Sequence, residues 1–146
     1  YGITLKVDVR ERASFLSTRK AGDYSVARNG WVGDYNDPIS FLDMWITASG
    51  NNDCQFGKGD HKDYVGYGDG KTWADTYDAL IATVKTTTDP VQRFELMHKA
   101  EDILMDTGAI CPIYYYTDIY MCSSRINGFF STPLGIKYFM YATVKE

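Results

Sequence analysis

The 146 residues suffice for one domain with a sizeable buried core. A net charge of -4 argues against nucleic acid or an anionic membrane as partner, and no apolar run approaches the ~20 residues that span a bilayer. Aromatic residues make up 15% of the chain, led by 12 tyrosines, which suit both strands and recognition surfaces.

The opening Tyr1-Gly2-Ile3 has no leader-like charged and apolar regions and reads as the start of a cut segment. Ile3, Leu5, Val7 and Val9 alternate with Thr4, Lys6, Asp8 and Arg10, the period of a half-buried strand. Glu11 to Ala21 carries good helix formers, with Phe15 and Leu16 as its apolar stripe and Gly22 placed to end it. Tyr24 to Trp31 follows as a second strand. Strand, helix and strand of these lengths predict a βαβ unit with parallel, right-handedly connected strands.

Ligands of such sheets gather beyond the carboxyl ends of the strands, and Trp31-Val32-Gly33-Asp34-Tyr35-Asn36-Asp37-Pro38 falls there. This turn holds an indole, a phenol and two carboxylates, with the Arg28 guanidinium just upstream. It is the candidate site. Trp31 and Tyr35 are read either as walls of a pocket or as core. Arg28 either holds a ligand carboxylate or pairs with a nearby aspartate.

Pro38 suits the first turn of a short helix capped by Asp37, with Ile39, Leu42 and Trp45 or Ile46 on its inner face. From Thr47 to Lys71 no period is visible, which predicts a long irregular loop. Asp53, Asp60, Asp63 and Asp69 lack the spacing of a calcium loop and read as solvated loop acids.

Trp73, Tyr77, Leu80, Ile81 and Val84 recur at helical spacing up to about Thr87. Asp89-Pro90-Val91-Gln92 then reads as N-cap, first-turn proline and capping-box glutamine. The helix that follows presents Phe94, Met97, Ala100, Ile103 and Leu104 and ends near Gly108. So short a link predicts antiparallel packing of the pair.

His98 reads as a surface or satisfied residue, and His61 lies in the loop, so imidazole-based catalysis has little support. Cys54, Cys111 and Cys122 lack metal-site spacing. Cys111 and Cys122 fall in apolar runs and read as buried inert thiols, with a disulfide between two of the three left open. Ala109 to Thr117 is strongly β-prone, with Pro112 implying an edge, a strand start or a bulge. Asn127-Gly128 signals a turn, and Ile136 to Val144 reads as a final strand.

Several stretches together resemble one family, the oligopeptide- and dipeptide-binding proteins of ABC importers (extracellular solute-binding protein family 5). They are Tyr1 to Val9; Gly22 to Val26 followed by Gly30 to Pro38; Asn51-Asn52; Tyr77 to Ile81; Arg93 to Leu96 with Ala100-Glu101; and Pro112 to Tyr116. They occur in family order across most of the chain. The loop from Asn51 to Trp73 is longer than the family's connection, and the last thirty residues match only loosely.

The resemblance implies an α/β fold: one lobe of a two-lobed, type II periplasmic-binding-protein-like fold, with a βαβ unit plus helices. It implies a single C-terminal-lobe domain over residues 1–146, with about 118–146 a tail that returns to the other lobe. It implies a peptide ligand, no cofactor and no catalysis. The partners implied are the N-terminal lobe of the same protein and the membrane permease subunits. The location implied is the outer face of the cell membrane, as a lipoprotein, or the periplasm. Asp34 stands where many members place the carboxylate that pairs with the ligand's α-amino group. Trp31 and Tyr35 would wall side-chain pockets, Asn51 would bond the ligand backbone, and Tyr114 and Tyr116 would line the cleft. Some members carry nickel complexes, haem or sugars instead of peptides. The residues alone also allow a glycosidase built on Asp34 and Asp37, or a scaffold for protein contacts.

Overall fold

The computed structural model describes residues 1–59 and 72–145. Its elements are helices α1 (Arg12–Ala21), α2 (Trp73–Thr86) and α3 (Pro90–Asp106), then four short strands. The strands are β1 (Ile126–Asn127), β2 (Phe130–Ser131), β3 (Lys137–Tyr138) and β4 (Thr143–Val144).

α2 and α3 carry the core because their apolar positions recur on one face of each helix and meet. Tyr77, Ile81 and Val84 of α2 are buried against Met97, Ala100, Ile103 and Leu104 of α3. Thr72 caps α2 by accepting from the Asp75 N–H at 3.0 Å, and Asp89 caps α3 by accepting from the Gln92 N–H at 2.8 Å. Pro90 opens α3 and Gly108 follows it with a positive φ, as expected from the sequence. Phe94, expected on the inner face, is exposed.

The segment from Pro38 to Trp45 lies against this pair as two successive 3-10 helices, Pro38–Phe41 and Asp43–Trp45, rather than one short α-helix. Ile39, Leu42 and Trp45 are buried as expected, and Ile46 is half-buried. Tyr77 fixes the segment from beneath: its ring is wholly buried and its hydroxyl donates to the Leu42 carbonyl at 2.5 Å. Burial first, then nearby Asp43 and Asp78, push this phenol far above its ordinary value, so it remains a donor. Phe56 meets the Tyr77 ring edge-on at 5.6 Å.

The described part of the loop, up to Gly59, is a chain of turns built on Asn52. Asn52 is only 2% exposed; its amide donates to the carbonyls of Phe56 (2.8 Å) and Ile46 (3.3 Å) and accepts from the Phe56 N–H at 3.0 Å. Asp53 is not a solvated loop acid. It is buried in an ion pair with Arg19 of α1 at 2.8 Å. Asp60, Asp63, Asp69 and His61 lie outside the described residues.

Arg19, the Gln55 amide bonded to the Lys20 carbonyl at 3.0 Å, and the Tyr24 hydroxyl bonded to the Asp53 carbonyl at 2.6 Å dock α1 onto these turns. Gly22, at φ 74°, closes α1 with a left-handed cap, as the sequence predicts.

The strands expected at Ile3–Val9, Tyr24–Trp31 and Ala109–Thr117 form no ladder among the described residues, so no βαβ unit is assembled. A parallel pair is stable only with both faces covered. Here Ile3, Leu5, Val7 and Val9 are 73–88% exposed, with nothing packed on either face. Cys111 and Cys122 are likewise exposed rather than buried, and the three cysteines are free thiols.

The final strand divides into β3 and β4. β4 pairs antiparallel with β1, and β3 pairs antiparallel with β2. Phe130 and Tyr138, directly opposite in register, stack at 4.9 Å. The turn after β1 uses Gly128 at φ 72°, where a side chain would run into the Tyr141 carbonyl.

Tyr77→Phe removes the donor from a buried carbonyl while keeping the ring. It is expected to destabilise the protein by about 1–3 kcal/mol in denaturant unfolding, through the orphaned Leu42 carbonyl. Unchanged stability would show that this carbonyl finds another partner.

Candidate functional site

The turn from Trp31 to Asp37 is held to the first 3-10 helix by main-chain and side-chain bonds. The Trp31 indole N–H donates to the Ser40 carbonyl at 2.8 Å. The Asp34 backbone N–H donates to Ser40 Oγ at 2.8 Å. Asp37 Oδ1 accepts from the Ile39 N–H at 3.0 Å, the N-cap expected from the sequence. Gly33 lies between these anchors, where a Cβ would press on the Phe41 ring at 3.1 Å and meet Leu134 at 3.5 Å.

The two carboxylates of the turn differ. Asp37 is paired with Arg93 of α3 at 2.8 Å. The Asp34 carboxylate is exposed and has no hydrogen bond or ion pair among the described residues, so it does not close its own turn. Trp31 is half-buried, packed on the core along one side, and Tyr35 is exposed. Slight burial first, then the charges of Asp43, Asp37 and Asp34, raise the Tyr35 phenol above its ordinary value, with Arg93 opposing.

Arg28, Tyr114 and Tyr116 form a second group. An Arg28 Nη2–H donates to the Tyr116 hydroxyl, and the Tyr114 and Tyr116 rings meet at 4.9 Å. Hydrogen bonding to Tyr114 raises the guanidinium further above its already basic value. Tyr114 and Tyr116 lie together, and Tyr115 between them is 99% exposed, which keeps the alternation of an extended run without a ladder. Arg28 pairs with no aspartate among the described residues. The two groups adjoin through Gly30, whose Cβ position faces the Tyr116 ring at 3.9 Å.

Asn51 is not joined to either group. It is exposed, and its backbone N–H donates to Ser49 Oγ at 3.1 Å. Its neighbour Asn52 is the structural member of the pair. Ser40 had drawn no attention in the sequence; a serine two positions after the turn-closing proline was its one available signal.

A separate cleft of about 390 Å³ opens in the tail, lined by residues that include Tyr120, Phe129, Lys137 and Phe139. None of the expected site residues lines it. No three metal-ligating side chains gather among the described residues, and no described helix is long and apolar enough to cross a membrane.

No protein-family model matches the chain. Individual proteins do. The oligopeptide-binding protein OppA of Bacillus subtilis is 31% identical over 145 residues, 99% of this chain and 24% of that protein. The periplasmic oligopeptide-binding protein OppA of Salmonella typhimurium is 33% identical over 128 residues, 88% of this chain and 21% of that protein. The chain is homologous to a segment of the oligopeptide-binding proteins. The dipeptide-binding protein DppE of Bacillus subtilis is also similar, 31% identical over 135 residues, 92% of this chain and 22% of its own. The chain thus spans less than a quarter of the length of these relatives. The resemblance read from the Gly30–Pro38 turn and its companions is borne out by this homology.

Asp37 offers a test of the turn's anchoring that needs no ligand. Its hydrogen bond with Arg93 holds the carboxyl below the ordinary 3.8, partial burial opposes this, and the Ile39 N–H assists. Because the folded value is depressed, the stabilisation is present above the ordinary value and is lost as pH falls through the depressed one. The pair is partly exposed, so it contributes about 0–1 kcal/mol. Unfolding of the wild type and of Arg93→Met should therefore differ at about pH 6 and converge towards about pH 2. A difference independent of pH would mean that Arg93 acts by packing alone.

Proposed function

We propose that this chain is the C-terminal part of the substrate-binding component of an ABC importer, a receptor for oligopeptides or dipeptides without catalytic activity. One observation carries the reading. At the turn, Asp34 alone presents an exposed, uncommitted carboxylate, while the acids around it have internal partners. Asp37 pairs with Arg93, Asp43 with Lys85 at 3.4 Å, and Asp78 accepts from the Thr47 N–H at 3.0 Å. A carboxylate held by its backbone and left free at its tip suits the α-amino group common to all peptides.

The other proposed roles rest on the resemblance. Trp31 and Tyr35 flank Asp34 and offer aromatic walls for side chains whose identity the site leaves open. Arg28, steadied by Tyr114 and Tyr116, takes a ligand carboxylate. Asn51, which lies apart from both groups, has only the resemblance behind its role on the ligand backbone. The names of the relatives, oligopeptide- and dipeptide-binding proteins, support a peptide ligand. A glycosidase at this turn has less support, since Asp37 is committed to Arg93 at 2.8 Å, a pairing that lowers its pKa and disfavours an acid's role.

In the complete protein this chain forms most of one lobe of a two-lobed, type II binding-protein fold, and residues 118–146 return to the other lobe. The strand Ile3–Val9 enters a sheet completed by residues beyond this chain, which would cover its exposed apolar positions. The receptor works outside the membrane, in the periplasm or lipid-anchored on the outer face, and delivers peptide to permease subunits.

Asp34→Asn in the complete protein is expected to weaken binding of peptides with a free amino terminus by about 1–3 kcal/mol in calorimetry. N-acetylated peptides should bind both forms alike. Equal affinity of both forms for free peptides, with the fold intact by circular dichroism, would remove Asp34 from the site.

A further inference from the structure

Ser40 is 1% exposed and has each of its three polar groups turned toward the candidate turn. Its N–H donates to the Asp37 carbonyl at 3.0 Å. Its carbonyl accepts from the Trp31 indole at 2.8 Å. Its Oγ accepts from the Asp34 N–H, also at 2.8 Å. One buried residue thus ties Trp31, Asp34 and Asp37, every third position of the turn.

These bonds differ in what a substitution removes. The bonds to Trp31 and Asp37 use the Ser40 main chain and survive any side chain that fits. The bond to Asp34 depends on the hydroxyl oxygen alone. We infer that Ser40 is a positioning residue: its hydroxyl fixes the backbone of Asp34, and so the place of its carboxylate, against a wall set independently through the Ser40 carbonyl.

The neighbourhood supports a built anchor over an incidental turn contact. The first 3-10 helix, to which Ser40 belongs, is capped by Asp37, Asp37 is braced by Arg93 of α3, and Tyr77 of α2 grips the adjoining Leu42 carbonyl. Ser40 therefore stands on the rigid core, while Asp34 extends from it into solvent. A carboxylate with no side-chain partner of its own has its position set by its backbone, and the only described bond to the Asp34 N–H is this one. Loss of that bond leaves the donor to water and lets the turn drift, and small displacements matter for a charge-assisted contact.

The inference rests on the reading of Asp34 as the partner of a peptide's amino terminus, and the test separates the two. In the complete protein, calorimetry compares a short peptide with a free amino terminus against its N-acetylated form, in wild type, Asp34→Asn, Ser40→Ala and Ser40→Thr. Ser40→Ala is expected to lower affinity for the free peptide by about three- to tenfold and to leave the acetylated peptide unchanged, with Ser40→Thr, which keeps the oxygen, recovering part of the loss. A purely structural role would weaken both peptides together, which overturns the inference. Hydrogen exchange on the unsubstituted protein needs no variant to fold: the Asp34 amide should be protected, and exchange at the free-chain rate also overturns it. If Asp34→Asn discriminates the two peptides and Ser40→Ala does not, the positioning role alone fails. If Asp34→Asn itself shows no discrimination, the amino-terminus reading fails and takes this inference with it.

Discussion

The Tyr77 hydroxyl bonded to the Leu42 carbonyl is the constraint on which the rest of the described structure depends. α2 and α3 would form a helical hairpin without it, since their apolar faces already match. The irregular chain from Trp31 to Gly59 is tied to them at several points, and Tyr77 is the buried one. Tyr77 holds this chain twice, by its hydroxyl to the Leu42 carbonyl and by its ring to Phe56. The carbonyl lies between the two 3-10 helices, so both are held at their junction. A buried phenol with one well-placed acceptor is satisfied, and an unmade bond there would cost about 1–3 kcal/mol. Such a bond therefore selects one arrangement of the segment among many that would bury similar area.

From that junction the polar residues divide by task. Arg19 with Asp53, Arg93 with Asp37 and Lys85 with Asp43 each join a helix to irregular chain, and Asn52 closes the turns around itself. The two more exposed pairs contribute little net stability, whereas in the nearly buried Arg19–Asp53 pair removal of one partner leaves a charge the interior solvates poorly. Asp34 and Arg28 are outside this internal pairing. They stand on either side of Trp31 in sequence, each fixed through its main chain or through phenols and each without an opposite charge among the described residues. Of the charged groups near the turn, Asp37 and Asp43 have internal opposite charges while Asp34 and Arg28 do not, and the proposed reading assigns the missing charges to a ligand.

The helices were legible in the sequence because everything that makes them is local. Glu11, Thr72 and Asp89 cap the three starts, and the buried positions of α2 and α3 repeat at helical spacing. The Asp37 cap and the Gly22 and Gly128 conformations were legible for the same reason. The expected strands outside the tail were not, because a ladder needs a neighbour, and period-2 alternation in Ile3–Val9 names a face without naming what covers it. The buried polar residues were legible least. Ser40, Asn52 and Asp53 look like loop residues by composition, and only the folded chain shows that each meets partners inside. At the site, Trp31 and Asp34 were readable from the turn itself. The pairing of Arg28 with Tyr114 and Tyr116 spans most of the chain and required the three-dimensional path.

The distribution of exposed apolar side chains adds a last constraint. They cluster in Ile3 to Val9, in Ile113 to Met121 and in the tail, away from the α2–α3 core. The first two of these segments are β-prone in sequence and form no ladder among the described residues, whereas the tail holds the two short antiparallel pairs. The chain spans less than a quarter of its relatives' length, and the proposed reading gives the bare segments neighbours in the remainder of the complete protein. The candidate turn is different. Its anchors are the local bonds to Ser40, the Asp37 cap and α3, all within this chain. Its geometry is therefore set within this chain; on the proposed reading, what the remainder would add is enclosure, since an ammonium meeting Asp34 in open water gains only about 0–1 kcal/mol. On the same proposed reading, this segment would determine where a ligand's end sits, and the rest of the protein how tightly it is kept.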